Sequence, residues 1–196
     1  MREGRQSGPK GIVTLLFIGL TIAYPVIVYF HIESVRPQWF ASVMLALVVL
    51  RFIFFGGAKR LSDAFMAVLA IVFCLAVMLF DSALLLKFYP VMMNVGMGLL
   101  FLVSLNDSQS LIERFARAGG KTPPEQAKGY LRGLSLTWGV LLLLNGAVSA
   151  YTAWFTSLST WALYNGMIAY MLIACFVLLE LGYRSYYKKR HNIVDE

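Results

Sequence analysis

Charge is scarce in this chain: 14% of its 196 residues are Asp, Glu, Lys or Arg, against about 25% in a soluble domain. That deficit excludes an ordinary water-soluble globule and points to a lipid solvent. Cysteine is equally sparse. Cys74 and Cys175 each lie in the middle of an apolar run, which excludes a disulfide framework or a redox Cys-x-x-Cys pair. Histidine is limited to His31 and His191, far apart and at segment ends. With no Cys/His cluster and no Asp/Glu pair at ligand spacing, no metal site is expected. Catalytic signatures are missing as well. No Ser/His/Asp or Cys/His set shares one depth, no glycine-rich phosphate loop follows a strand, and no His-Glu-x-x-His occurs. An enzyme acting on lipids would gather His or Asp at the interface, whereas here Asp81 alone sits near the outer end of a run. The chain reads as non-enzymatic, with no cofactor.

Apolar length is what the sequence has in abundance. Hydrophobic residues make up 59% of the chain and mean hydropathy is +0.71. They fall into six runs, at 12–30, 38–55, 64–80, 84–105, 134–155 and 161–182. Each is close to the roughly 20 residues that a helix needs to cross a bilayer. The expected fold is all-α: a single polytopic domain of six transmembrane helices. The first run is too long for a signal peptide, and Tyr24-Pro25 offers no small-residue cleavage site. It is expected to remain as a helix kinked at Pro25. Gly56 to Arg60 forms a basic turn, Ser62-Asp63 a helix cap, and Asp81-Ser82 a tight turn.

The one substantial soluble segment is 106–132. Within it, Leu111, Ile112, Phe115 and Ala118 share one helical face, with Glu113, Arg114 and Arg117 off it. That pattern predicts a short amphipathic helix lying on the membrane surface. Lys121-Thr122-Pro123-Pro124 then acts as a stiff spacer, and 183–196 is a basic tail.

A net charge of +7 would suggest nucleic acid in a soluble protein. Here the basic residues sit in short segments between apolar runs, so topology explains them and nucleic-acid binding is not expected. With six crossings, fifteen Arg and Lys fall on one face. They are Arg2, Arg5, Lys10, Arg51, Lys59, Arg60, Arg114, Arg117, Lys121, Lys128, Arg132, Arg184, Lys188, Lys189 and Arg190. Only Arg36 and Lys87 fall on the other. The positive-inside rule then puts both termini in the cytoplasm.

Polar groups inside a span are costly and tend to face the bundle interior or a cavity. Lys87, Asn94, Asn145 and Asn165, with Tyr164 beside the last, form the candidate intramembrane polar site. Lys87, Asn165 and Asp81 would make an outer vestibule, with Asn94 and Asn145 deeper. The plainer alternatives are a snorkelling Lys87, asparagines acting as interhelical glue, and a Glu180–Arg184 i, i+4 pair. Trp39, Trp138 and Trp161 read as interfacial anchors. Gly96 and Gly98, and the Asn-Gly pairs at 145–146 and 165–166, are expected to let helices approach closely. The candidate partner surface is Leu111, Ile112, Arg114, Phe115 and Arg117.

Four stretches in the second half carry a resemblance. They are Leu86-Lys87-Phe88-Tyr89-Pro90, Leu111-Ile112-Glu113-Arg114-Phe115, the Leu134-to-Asn145 helix through Trp138, and Trp161 to Gly166. In order and spacing this series, over about 84–190, resembles the intracellular septation protein A family of bacterial inner-membrane proteins. Residues 1–83 share with it only hydropathy and the aromatic-Pro of Tyr24-Pro25. The family usually has Lys and a further aromatic where this chain has Asn165-Gly166, and a different Lys-Pro spacing at Lys87 and Pro90, so the chain looks like a distant relative. It is also similar to membrane proteins found with aryl-polyene and related acyl-chain biosynthesis genes. The resemblance implies an inner-membrane protein that supports cell-envelope organisation or assembly. Its partners would be membrane lipids and envelope or biosynthetic proteins recognised by the 106–132 loop and the tail. The alternative is a small transporter or lipid-translocating protein with a path past Lys87, Asn94, Asn145 and Asn165. A homodimer interface would house that path, since six short helices enclose little volume.

Overall fold

In the computed structural model, residues 36–55 and 61–190 are described, together with Gly19 and Phe30, and every regular element among them is helical. The rest of the 12–30 run, with its Pro25 kink, the 56–60 turn and the end of the tail from 191 lie outside the described residues. The elements are α1 (Pro37–Phe55), α2 (Leu61–Phe80), α3 (Ala83–Lys87), α4 (Tyr89–Val103), α5 (Leu111–Ala118), α6 (Lys128–Phe155), α7 (Leu158–Leu163) and α8 (Ala169–Arg190). A π turn at Tyr164–Ile168 joins α7 to α8. Among the described residues, three stretches are long and apolar enough to cross a membrane: Tyr89–Asn106, Glu125–Phe155 and Leu158–Arg190. Pro37–Leu50 and Ala67–Phe80 are shorter apolar stretches.

Local chemistry explains where the elements depart from the expected runs. Ser62 and Asp63 lie inside α2 rather than capping it, since the helix already starts at Leu61. Asp81 turns the chain with φ of 44°, a left-handed conformation that Asp tolerates better than most residues. Ser82 then caps α3, its Oγ accepting from the Leu85 amide at 3.3 Å. The 84–105 run is not one helix. Pro90 has no N–H to continue the ladder, and the chain breaks at Phe88, whose own amide donates to Leu85 O at 2.9 Å. The loop is shorter than 106–132, because α6 starts at Lys128 after a 3-10 turn at Glu125–Ala127. The final helix starts earlier than 161, with Ser157 Oγ accepting from the Thr160 amide at 3.2 Å.

A close seam joins α4 to α6. A Cβ on Gly98 would stand 3.0 Å from the Leu143 side chain and 3.1 Å from Gly139 O; one on Gly139 would stand 2.6 Å from Leu102 and 3.3 Å from Gly98 O. The two backbones touch because neither position carries a side chain, as the glycine-rich pattern of α4 anticipates. Around one end of this seam, Ala41, Cys74, Val77, Leu86, Tyr89, Ala153 and Trp161 form the buried core. Trp161 is wholly buried there rather than sitting at an interface, and its Nε1 donates to Lys87 O at 3.1 Å. The Trp161 end thereby gathers α1, α2, α3, α4, α6 and α7.

The opposite, basic end is stitched by hydroxyls. Ser104 Oγ accepts from the Leu111 amide at 2.9 Å, and Ser110 Oγ donates to Leu131 O at 3.3 Å. Ser135 Oγ accepts from the Ile112 amide at 3.3 Å while donating to Leu131 O at 2.9 Å. All three serines are buried, so α5 is docked on α6 rather than only resting on a lipid surface.

Gly139→Val should lower stability by about 1–3 kcal/mol, because Leu102 must yield to the new side chain. Gly133, with open space around it, serves as the contrast: Gly133→Ala should leave stability unchanged or raise it by up to about 1 kcal/mol. Unfolding of both purified variants in one detergent provides the check; equal effects would show that the seam is not close-packed.

Candidate functional site

Two polar clusters form beside the seam, and they are separate. In the first, Tyr164 Oη donates to Asn145 Oδ1 at 2.6 Å, Asn145 Nδ2 donates to Asn94 Oδ1 at 2.9 Å, and Asn94 Nδ2 donates to Pro90 O at 2.8 Å. The last of these is a side-chain bond back to the carbonyl four residues earlier on the same helix. Gly146 lets this happen, since a Cβ there would meet Asn94 Cβ at 3.2 Å.

In the second, Ser149 Oγ donates to Asn165 Oδ1 at 2.8 Å, while Asn165 Nδ2 donates to Trp161 O at 3.0 Å and Thr152 Oγ1 at 3.3 Å. Thr152 Oγ1 in turn donates to Ser149 O at 2.9 Å. Asn165 has thus spent both N–H groups. Its reach back to Trp161 O, one turn earlier, competes with the ordinary helical ladder. The helix answers with the π turn, in which the Ala169 amide bonds Tyr164 O; single π turns of this kind recur at functional sites.

Beyond the π turn, α8 departs from the bundle. At backbone distance it packs chiefly against the turn it grows from. Side chains alone tie it back at the basic end: Trp138 and Phe176 meet edge to face at 4.9 Å, Tyr130 stacks on Tyr187 at 4.9 Å, and Tyr130 Oη donates to Glu180 Oε1 at 2.6 Å. Glu180 therefore pairs with Tyr130, and not with Arg184 as the i, i+4 spacing suggests.

The space between is a cleft of about 440 Å³, lined by Tyr89, Pro90, Met93, Asn94, Met97, Phe101, Ile112, Phe115, Trp138, Leu142, Asn145, Asn165, Ala169, Tyr170 and Ile173. A smaller hollow of about 150 Å³ lies on the other side of Asn145, with Tyr164 and Leu172 in its wall. No charged side chain lines either one. The larger cleft has the size of a small-molecule site and the usual make-up of one, an apolar wall with a few convergent polar groups.

The structure brings Asn94, Asn145 and Tyr164 into one chain and places Asn165 beside it in its own cluster. Lys87 joins neither; it reaches the core through its backbone carbonyl. Asp81 is exposed on its turn, so no vestibule of Lys87, Asn165 and Asp81 is assembled. On α5, Leu111 is buried against the bundle, Ile112 and Phe115 line the cleft, Arg114 bonds Asp107 and Gln109 O, and Arg117 bonds Glu113 at 2.9 Å. Glu113, expected off the packed face, is 1% exposed while Phe115 is 50% exposed. The buried carboxylate is tolerable because Arg117 approaches it with two nitrogens, Nε at 3.1 Å and Nη2 at 2.9 Å.

Ser149, Thr152 and the aromatic lining were not among the expected site residues. Their signal was present as spacing: Ser135, Gly139, Gly146, Ser149 and Ala153 recur at helical intervals, and all are buried on α6. No family model, curated protein or solved structure matches the chain, so the cleft must be read from its own chemistry.

Asn165→Ala would leave the buried Ser149 hydroxyl without its acceptor. The expected cost is about 1–3 kcal/mol, read as a lower unfolding midpoint in detergent. An unchanged midpoint would show that the Asn165 cluster is not structural.

Proposed function

We propose that this is a non-enzymatic multi-pass membrane protein of the bacterial inner membrane that holds an apolar chain of a lipid or lipid precursor in the cleft between α4, α6 and α8, in support of envelope assembly. The observation that carries this reading is the cleft itself: about 440 Å³, walled by Phe101, Trp138 and Tyr170, and without a charged side chain. A protein that only scaffolds others would have no use for such a volume beside its tightest seam. Binding and passing on an acyl chain uses it directly, which favours the translocating or lipid-handling alternative over a pure scaffold. The resemblance of residues 84–190 to the septation protein A family is what suggests cell-envelope upkeep as the setting.

The arrangement we propose in the membrane has six crossings and both termini in the cytoplasm. The length of α6 supports it: 28 residues make about 42 Å of helix, more than the roughly 30 Å hydrocarbon core. Its surplus lies at the end that carries Lys128, Tyr130 and Arg132, where Tyr130 stacks on Tyr183 and Tyr187 of α8. Tyrosine beside Lys and Arg is the composition of a cytoplasmic interface. The loop and the tail share that end, since Tyr187 Oη reaches Gln126 O at 3.5 Å.

Two experiments test this. A diazirine-bearing acyl methyl ester, photolysed with the purified protein, should label peptides of α4 and α6 at Phe101 and Trp138. Met97→Trp, which fills the cleft, should cut that labelling about tenfold; labelling spread evenly over α8 with no response to Met97→Trp would remove the reading. Separately, cysteines placed at Lys121 and Glu196 should resist a membrane-impermeant thiol reagent in intact cells and react after permeabilisation. Modification of either one in intact cells would overturn the topology.

A further inference from the structure

Resting on the cleft reading above, we propose that the bound molecule is a single acyl chain attached to its head by an uncharged ester or amide linkage, and that Asn94 and Asn145 recognise the carbonyl of that linkage. The hydrogen-bond inventory is the starting point. Each carboxamide nitrogen carries two N–H groups and each oxygen can accept. Asn145 uses one N–H on Asn94 Oδ1, and Asn94 uses one on Pro90 O. Both oxygens are engaged, that of Asn94 by Asn145 and that of Asn145 by Tyr164. What remains is one N–H on each residue, and both residues line the cleft. Two donors held by their own oxygens in fixed orientation call for an acceptor. Asn165 offers no such group, since both its N–H groups are spent on Trp161 and Thr152.

The acceptor has to be neutral. No Lys, Arg or His lines the cleft, so a carboxylate or phosphate would enter a mostly apolar space with no counter-charge, which is among the costliest arrangements in a membrane. An ester or amide carbonyl supplies the same oxygen without the charge. The position of the pair also sets a direction. Asn94 lies one turn from Tyr89 and Pro90 but about 10 Å of helix from Phe101. The longer part of the cleft, where the tail would lie, is therefore toward Phe101, Phe115 and Trp138. A volume of about 440 Å³ suits one chain rather than the two of a diacyl lipid.

The test is competition against photolabelling by the acyl methyl ester probe, using four compounds of matched chain length: an alkane, a methyl ester, an N-methyl amide and a carboxylate at a pH where it is ionised. In the wild type, the ester and the amide should compete about tenfold better than the alkane, the worth of one good hydrogen bond, and the carboxylate should be weaker than either. Asn94→Leu and Asn145→Leu should each bring the ester to within about twofold of the alkane while the alkane competes as before. Equal competition by alkane and ester, or a carboxylate that competes best, would overturn carbonyl recognition yet leave the cleft as an acyl site. Failure of all four to compete would take down the cleft reading itself. The wild-type ranking decides the matter even where a substituted protein does not fold.

Discussion

The backbone contact between Gly98 and Gly139 is the constraint from which the site follows. In a lipid solvent no hydrophobic effect presses helices together, so contact depends on backbones that can touch and on hydrogen bonds that would otherwise be lost. Once α4 and α6 meet at Gly98 and Gly139, Gly146 comes against Asn94 one or two turns away, and Asn145 is carried to within 2.9 Å of it. A Cβ at any of the three glycines would stand 3.2 Å or less from an atom across the seam, so the neighbour would have to give and the Asn94–Asn145 bond would be stretched. The polar pair is thus a consequence of the seam, and each interhelical bond adds only about 0.5–2 kcal/mol to it.

Segments whose physics is local were legible in the sequence. The hydropathy of the runs, the turn at Asp81-Ser82, the close packing at Gly98 and Gly146, and the helix at 111–118 all follow from composition and spacing. Asn94, Asn145, Tyr164 and Asn165 were also legible as residues that ought to be inside. What spacing could not reveal is which of them share a cluster. Lys87 and Asn165 occupy adjacent helices at similar depth, yet one gives only its carbonyl and the other turns to Ser149 and Thr152. That choice depends on the π turn, and a one-residue change of helical register leaves no trace in hydropathy. Trp161 misled for a related reason: tryptophan after a turn usually marks an interface, but here it shares a buried core with residues of five other helices.

The loop shows the same division between pattern and packing. Read as an amphipathic helix, α5 should hide Phe115 and show Glu113. Instead Ser110 and Ser135 tie its first turn to α6, and Ser104 ties it to the end of α4, through backbone atoms, which fixes its rotation. Glu113 is driven inward and held by Arg117, and Ile112 and Phe115 are left in the wall of the cleft. Hydroxyls on small residues carry almost no weight in a hydrophobic pattern, yet they decide this geometry because a buried backbone N–H must find an acceptor.

Why the cleft persists as a space, rather than closing as helices slide together, is answered at the two ends of α8. At one end the π turn, held by Asn165 and by Trp161 in the core, sets the direction in which α8 leaves. At the other, Tyr130 stacks on Tyr187 and bonds Glu180, and Trp138 meets Phe176. Those contacts use large rings, which keep the α6 and α8 backbones apart where the glycines of the α4 seam bring theirs together. A helix pinned at both ends by bulky or hydrogen-bonded contacts cannot collapse onto its neighbour in the middle without breaking one of them. Leu142, Asn145, Ala169 and Ile173 line both the cleft and the smaller hollow, and so stand between the two spaces. Glycine on one side of α6 and aromatics on the other therefore produce, from a single helix, both the tightest seam in the described structure and the opening beside it.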